Sequence, residues 1–159
     1  MTIDELREFG LAELTDDEIT GFLSSQRVGV LALSGGRGPY VLPISYGYDG
    51  EDRLYLTYVL GGSSRKATLT ESSERARFLV FTVDSPYSWE SVLLTGRLEP
   101  VPEERWDDLE SDLPEAWRPA LFASALDDQQ VRVYEFRIEE RSGVKHQGLP
   151  PGLEAGENT

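Results

Sequence analysis

The chain has 159 residues, the length of a single domain with a substantial hydrophobic core. Its 29 acidic and 15 basic side chains give a net charge of −14, which disfavours non-specific binding to nucleic acid or to anionic membranes. The absence of cysteine excludes disulfides and thiolate metal sites. We therefore expect a globular protein whose partners are small molecules, with no nucleic acid and no membrane among them.

The positive charge of the chain is carried almost entirely by arginine. Lys66 and Lys145 are its only lysines. An acidic, lysine-poor surface is typical of proteins from salt-accumulating halophiles, and an ordinary acidic protein is the alternative. Residues 1–5 show no signal-peptide pattern, and no apolar run approaches the roughly 20 residues of a membrane span, so we expect a cytoplasmic protein.

The first element with a clear sequence signal is a helix. Thr15 and Glu18 have the spacing of a capping box, which predicts a helix that runs through Leu23. The same helix places Ile19 and Phe22 on one apolar face. We expect the preceding residues, 1–14, to include a shorter helical segment.

Six apolar or alternating runs, separated by turn signals, then predict strands. They cover residues 28–33, 40–48, 53–59, 75–83, 89–98 and 131–138. Pro43, inside the second run, indicates a sheet edge or a bulge. Prolines at 102 and 114 predict two short helices over residues 102–126, in which Trp106 and Trp117 are expected to pack. The pattern predicts a mostly β fold, a small antiparallel barrel with flanking helices. We expect one domain over residues 1–147 and a loose tail over 148–159.

A candidate anion site follows the third strand. The sequence Gly-Gly-Ser-Ser-Arg-Lys, residues 61–66, leads into a predicted helix. A serine cap, free backbone N–H groups and two cations at a helix N-terminus are suited to phosphate. The alternative is an ordinary surface helix start whose cations face solvent. The spacing is not that of a Walker loop, so a nucleoside triphosphate is not expected.

The order of these motifs resembles the pyridoxamine 5′-phosphate oxidase-like family of FMN-binding split barrels. Residues 40–46, 54–57 and 64–66 match it in succession, and residues 89–99 end a strand with Gly-Arg-Leu-Glu. The resemblance covers residues 15–100, with a weaker match in the last strand. It implies a six-stranded antiparallel split barrel of Greek-key type.

The resemblance also implies a set of cofactor-binding residues. The FMN phosphate would be bound by Ser64, Arg65 and Lys66, and Thr57 would line the path of the ribityl chain or phosphate. The backbone of the second strand would run beneath the isoalloxazine ring, with barrel packing as the alternative for these residues: Val41, Leu42, Pro43, Ile44 and Ser45. Trp89 and Ser91 would approach the flavin. A homodimer with flavin sites at the subunit interface is implied as well.

The reaction is less well defined than the cofactor. Tyr40 and Ser45 stand where the parent oxidases carry basic residues, which argues against oxidation of pyridoxamine phosphate. An FMN-dependent oxidoreductase with a small-molecule electron donor and acceptor is implied, and a flavin carrier or sensor without turnover is the alternative. The deazaflavin F420 would use the same phosphate site as FMN. His146, the sole histidine, is expected in an exposed loop, and an acid–base or substrate-binding role for it stays open. Whether a dimer would complete the site through Lys145 or His146 also stays open. No metal site is expected.

Overall fold

The computed structural model describes residues 10–35, 37–60, 65–72, 75–112 and 130–148. Side chains are described throughout these ranges except at 59, 60, 65–67, 110–112 and 130. The elements, in chain order, are β1 (Leu11–Glu13), α1 (Asp16–Ser25), β2 (Val28–Leu33), β3 (Tyr40–Tyr48), β4 (Arg53–Leu60), α2 (Arg65–Ser72), β5 (Ala76–Ser85), β6 (Ser88–Val101), a 3-10 turn (Glu103–Arg105), α3 (Trp106–Asp112) and β7 (Gln130–Gln147).

Six of these strands close into an antiparallel barrel, as predicted. The strand order is β7-β4-β3-β2-β5-β6, and β6 pairs with β7 to complete the ring. Consecutive strands β2, β3 and β4 are neighbours, and β5 returns to lie beside β2. This 4-1-2-3 arrangement is a Greek key. The seventh strand, β1, pairs with the C-terminal part of β7, at residues 144–146.

The barrel interior holds the main hydrophobic core, because alternate residues of each strand point inward. Its fully buried side chains include Leu31, Leu54, Phe78, Val92 and Phe136. Helix α1 adds Ile19, Phe22 and Leu23 to this core. The predicted capping box of α1 is confirmed, since the Thr15 hydroxyl accepts from the Glu18 N–H at 3.2 Å and the Glu18 carboxylate accepts from the Thr15 N–H at 3.1 Å.

A second, smaller cluster lies outside the barrel under α3. Trp106 and Leu109 of this helix pack on Tyr55, Val101 and Val133. The Trp106 indole N–H donates to the Val101 carbonyl at 3.2 Å. The packing interpretation of Trp106 is therefore confirmed. Trp117 and the second half of the predicted helical region lie outside the described residues, as do residues 1–9 and 149–159.

Two sequence-based expectations need correction. Within residues 1–14, expected to include a helical segment, Leu11–Glu13 form β1 because they pair with β7 through Leu11–His146 and Glu13–Val144, and residues 1–9 lie outside the described residues. The last strand, expected to end at residue 138, continues to Gln147. Its second half is polar and contains a Ser-Gly pair, so it has the composition of a loop, but β6 pairs with it along the whole length. Among the described helices none is long and apolar enough to cross a membrane.

Candidate functional site

Strands β3 and β4 separate at Ser45 and Thr57, two of the predicted site residues. Their pairing is confined to Tyr46–Leu56, Gly47–Tyr55 and Tyr48–Leu54. The same register, continued by one residue, would place Ser45 opposite Thr57. Instead Ser45 pairs with Val28 of β2, and Thr57 pairs with Val133 of β7. We call the opening between residues 41–45 and 57–60 the split.

The backbone of β3 presents polar groups toward the split. The Tyr46 N–H donates to the Arg27 carbonyl at 2.9 Å, which makes this pair a hydrogen-bonded pair of the β2–β3 ladder. Because such pairs alternate with non-hydrogen-bonded ones, the backbone groups of Val41, Pro43 and Ser45 point away from β2. Within the described residues no strand pairs with them on that side. Pro43, which has no N–H, therefore lies at a locally unpaired edge, as its position in the sequence predicted.

Helix α2 begins after the end of β4, with Arg65 and Lys66 as its first two residues. The structure describes the backbone of these two residues, and Ser64 lies outside the described residues. Further along the helix, Leu69 packs on the barrel core, and the Thr70 hydroxyl lies 2.9 Å from the Tyr58 hydroxyl. Glu71 accepts a hydrogen bond from Arg132 of β7 at 3.0 Å. These contacts attach the C-terminal half of α2 to the barrel, at Tyr58 of β4 and Arg132 of β7.

Burial affects the protonation of the two tyrosine side chains that attach helices α1 and α2 to the barrel. Tyr58 is fully buried, and Tyr46, also buried, donates to the Leu23 carbonyl of α1 at 2.7 Å. Desolvation raises the pKa of both phenols far above the ordinary value; for Tyr58 the Thr70 hydroxyl opposes this only in part. Both tyrosines are therefore neutral at physiological pH.

The outward-pointing side chains of β2, β3, β5, β6 and β7 form a continuous surface that we call the outer face. Directly paired residues share a face, so Pro43, Val30, Leu79 and Leu93 make one row across four strands. The next row contains Phe81, Ser91 and Val144. Large apolar side chains on the outer face are strongly exposed: Val28 58%, Val41 57%, Phe81 49%, Val83 60% and Leu93 37%. Exposed apolar side chains concentrated on one face are typical of interaction surfaces.

A third row places Trp89 beside His146. The two residues are directly paired, and their rings stack with centroids 6.1 Å apart and 17° between planes. His146 Nδ1 lies 2.6 Å from the Tyr87 carbonyl oxygen, which can only accept, so Nδ1 carries a proton and donates it to this hydrogen bond. The expectation of an exposed loop for His146 is wrong, because β7 extends through this position and half-buries the ring.

Lys145 points to the other side of β7 and has a partner of its own. Its ammonium donates to the Glu18 carboxylate of α1 at 3.0 Å. This hydrogen bond, together with that from the Thr15 N–H, lowers the pKa of Glu18. In this single chain Lys145 therefore links β7 to α1.

Apart from Ser64, Arg65 and Lys66, the predicted site residues fall into three groups. Val41, Pro43, Ser45, Trp89 and Ser91 share the outer face, and Thr57 lies across the split from Ser45. Leu42 and Ile44 have side chains packed against the barrel core and backbone groups bonded toward β2. Sequence reasoning missed Phe81 and Val83 of the outer face, although the alternation in β5 carries that signal. It also missed Tyr58 and Thr70, whose contact depends on tertiary structure alone.

The described residues give no support for metal chemistry. Within these ranges no group of three or more histidine, cysteine, aspartate and glutamate side chains is arranged to hold a metal ion. The split presents an exposed strand edge with the apolar side chains of the outer face beside it, and α2 is the next described element after β4. Such a combination fits an elongated ligand with a flat apolar ring and an anionic end.

Solved structures share this fold. An FAD-binding protein from Mesorhizobium loti is 23% identical, with a TM-score of 0.67 and coverage of 85% of this chain and 96% of its own. The FAD and heme binding protein from Mycobacterium smegmatis is 16% identical, with a TM-score of 0.66 and coverage of 89% and 75%. An FAD binding protein from the same organism is 13% identical, with a TM-score of 0.59 and coverage of 85% and 98%.

The family assignment rests on the sequence itself. No curated protein matches the chain. The profile described as pyridoxamine 5′-phosphate oxidase matches residues 15–145, a range that contains the split, the start of α2 and all of the six-stranded barrel except the last two residues of β7. The chain therefore belongs to the pyridoxamine 5′-phosphate oxidase family.

Proposed function

We propose that this protein is a flavoprotein that binds FMN in the split and acts as an FMN-dependent oxidoreductase. One observation carries the proposal: β3 and β4 separate at Ser45 and Thr57, beside the strand end from which α2 begins. The similar structures named as FAD-binding proteins support a flavin as the ligand class. FMN is the proposed member of that class because its single phosphate matches one helix N-terminus.

The residues present fit the proposed cofactor. Arg65 and Lys66, with Ser64 and the first N–H groups of α2, would bind the phosphate. Thr57 would line the path between phosphate and ring. The unpaired backbone groups of Val41, Pro43 and Ser45 would hydrogen-bond the polar edge of the ring, and the apolar side chains of the outer face would cover its plane.

We propose that the functional unit is a homodimer formed through the outer face. A second copy of this chain would remove its exposed apolar side chains from water, which is the dominant favourable term in association. Trp89 and Ser91 lie on the same face, so an interface there would enclose the flavin between the subunits. His146 would then lie at this interface, beside Trp89.

The chemistry would come from the cofactor. When bound, FMN can accept a hydride or electrons from one substrate and return them to another. The protein would bind and orient it and exclude water from one side of the ring. Pyridoxamine phosphate is not the proposed substrate, because Tyr40 and Ser45 replace the basic residues of the parent oxidases. A nicotinamide-dependent reductase of a small organic acceptor fits the site as well as an oxidase.

A carrier or sensor without turnover is the second candidate. The side chains of Val41, Pro43, Ser45 and Ser91 carry no group that exchanges protons at neutral pH, and this favours a site that binds without catalysing. The deazaflavin F420 is the alternative occupant, because its phosphate would use the same helix N-terminus.

The absorbance spectrum of the purified protein, with mass identification of the released cofactor, tests this proposal. A yellow protein that releases FMN and bleaches with reduced nicotinamide supports the oxidoreductase. A yellow protein inert to every electron donor supports the carrier, and released F420 identifies the alternative cofactor. A colourless protein that takes up no added flavin contradicts both functions.

A further inference from the structure

A buried hydroxyl pair joins β4 to α2, the helix whose N-terminus is the predicted phosphate site. The Tyr58 and Thr70 hydroxyls lie 2.9 Å apart, and both side chains are buried, at 0% and 4% exposure. Between them in sequence lie residues 59–69, which include Arg65 and Lys66. The Tyr58 ring also contacts the Tyr134 ring of β7, with centroids 4.5 Å apart, so the phenol is held from the barrel side.

We propose that Tyr58 and Thr70 are positioning residues that orient α2 for a flavin phosphate and thereby make the protein select FMN over riboflavin. This inference rests on the proposed function, since it assigns the phosphate to the N-terminus of α2. Neither residue would touch the cofactor. Their effect would reach the phosphate through the orientation of the helix.

The short length of α2 makes such a contact necessary. The helix has 8 residues, and an isolated helix of fewer than about 12 residues is marginal in water. Its orientation therefore depends on contacts with the barrel. Leu69 supplies apolar packing, which has no preferred direction. The Glu71–Arg132 pair is solvent-exposed and contributes little.

The hydroxyl pair is a buried directional contact between α2 and the barrel. Thr70 lies five residues after Arg65, about 7.5 Å along the helix axis at 1.5 Å per residue. A small rotation of α2 about this point would displace the N-terminal N–H groups and the two cations together. Charge-assisted hydrogen bonds to phosphate weaken when distance or angle departs from a narrow range. The hydroxyl pair should therefore affect the phosphate contacts and leave the ring contacts unchanged.

The test is a comparison of FMN and riboflavin affinity by fluorescence titration. The variants are Tyr58→Phe, Thr70→Val, their combination and the conservative Thr70→Ser. Tyr46→Phe is the matched control, because its buried hydroxyl also joins a strand to a helix, through the Leu23 carbonyl of α1. Thermal unfolding measures the stability of each variant separately from its flavin affinity. If Tyr58→Phe does not fold, the comparison of FMN and riboflavin affinity is made with Thr70→Val alone.

We expect Tyr58→Phe and Thr70→Val to weaken FMN binding by roughly three- to ten-fold, the loss of one hydrogen bond. Riboflavin affinity should stay at the wild-type value, the double variant should be no weaker than the singles, and Thr70→Ser should bind FMN like the wild type. Tyr46→Phe should lose stability and keep the wild-type ratio of FMN to riboflavin affinity.

Two results would overturn the inference in distinguishable ways. If the wild type prefers FMN and the variants keep that preference, or lose affinity for both ligands alike, the hydroxyl pair is structural and the proposed function stands. If the wild type binds FMN no better than riboflavin, or binds neither, the phosphate site itself is wrong and the inference fails with it.

Discussion

Ser45 and Thr57 lie on opposite strands at the point where β3 and β4 separate. The last pair of the ladder between these strands is Tyr46–Leu56, and Ser45 and Thr57 are the residues next to that pair. Beyond this point Ser45 belongs to the β2 side of the barrel and Thr57 to the β7 side. The edges of β3 and β4 form no hydrogen-bonded pairs with each other beyond this point. Both residues were predicted to line the cofactor site, and they border the same opening.

Replacement of Gly96 by alanine should destabilise the barrel. Gly96 lies at the β6–β7 irregularity, and an added Cβ would overlap the Arg137 carbonyl oxygen, which belongs to backbone and cannot move aside. We expect a loss of about 1–3 kcal/mol or more in the free energy of unfolding, measured in urea. Gly21→Ala is the control: it lies in α1 with nothing within 4 Å of its Cβ, and should gain up to about 1 kcal/mol. Equal effects at the two positions would contradict the steric argument.

Replacement of Glu135 by glutamine should also destabilise the protein. The carboxylate is 4% exposed and lies 3.5 Å from the Arg53 guanidinium and 3.8–3.9 Å from those of Arg137 and Arg105. Without its charge three neighbouring cations repel one another, and we expect a loss of about 1–3 kcal/mol in the free energy of unfolding.

The control for this variant is Glu139→Gln, which also removes a carboxylate between arginines, Arg75 and Arg97, but at an exposed position. Its effect should stay within about 0.5 kcal/mol. High salt should reduce the difference between the two variants. A Glu135→Gln protein as stable as the wild type would show that the arginines do not depend on this charge.

Stability should fall at alkaline pH because of Tyr46 and Tyr58. Burial raises the pKa of both phenols in the folded state, so above about pH 10 the unfolded chain releases these protons while the folded chain retains them. Their contribution is complete below pH 10 and is lost as pH rises toward the folded-state pKa. Each should add up to about 1.4 kcal/mol per pH unit to the slope of unfolding free energy.

Urea unfolding of the wild type and of Tyr46→Phe/Tyr58→Phe at successive pH values measures this slope. Between pH 7 and 9 the two curves should run parallel, and above pH 10 the double variant should decline less steeply. Identical slopes at high pH would mean that these phenols ionise as easily in the folded protein as in the unfolded chain.

Introduction of a charge on the outer face should separate the proposed dimer. Phe81→Asp replaces a half-exposed aromatic ring, so the barrel should fold while an interface on this face would have to bury an unpaired carboxylate. Light scattering coupled to gel filtration should show a dimer for the wild type and a monomer for the variant. Ser24→Asp, which adds the same charge on the exposed side of α1, should stay dimeric. A wild-type monomer would rule out the dimer, and a dimeric Phe81→Asp would place its interface elsewhere.

Local sequence signals predicted much of this fold. The bounds of β2 and β3 follow from apolar runs between glycine and proline turns, and the capping box located α1. The course of β7 beyond residue 138 could not be predicted, since its polar residues are stabilised by pairing with β6. His146 was assigned to a loop for the same reason. The split was anticipated only in part: Pro43 indicated an edge, and the register that ends at Tyr46 is a property of the closed barrel.

Binding of the flavin phosphate at the N-terminus of α2 can be tested by comparing the FMN affinity of Arg65→Ala/Lys66→Ala with that of the wild type. Arg75→Ala/Arg97→Ala, which removes two exposed cations that both contact Glu139, is the matched control for net charge. If the N-terminus of α2 binds the flavin phosphate, the first double variant should bind FMN at least roughly ten-fold more weakly and the control should bind like the wild type. Unchanged FMN affinity in Arg65→Ala/Lys66→Ala would show that these two cations do not bind the flavin phosphate.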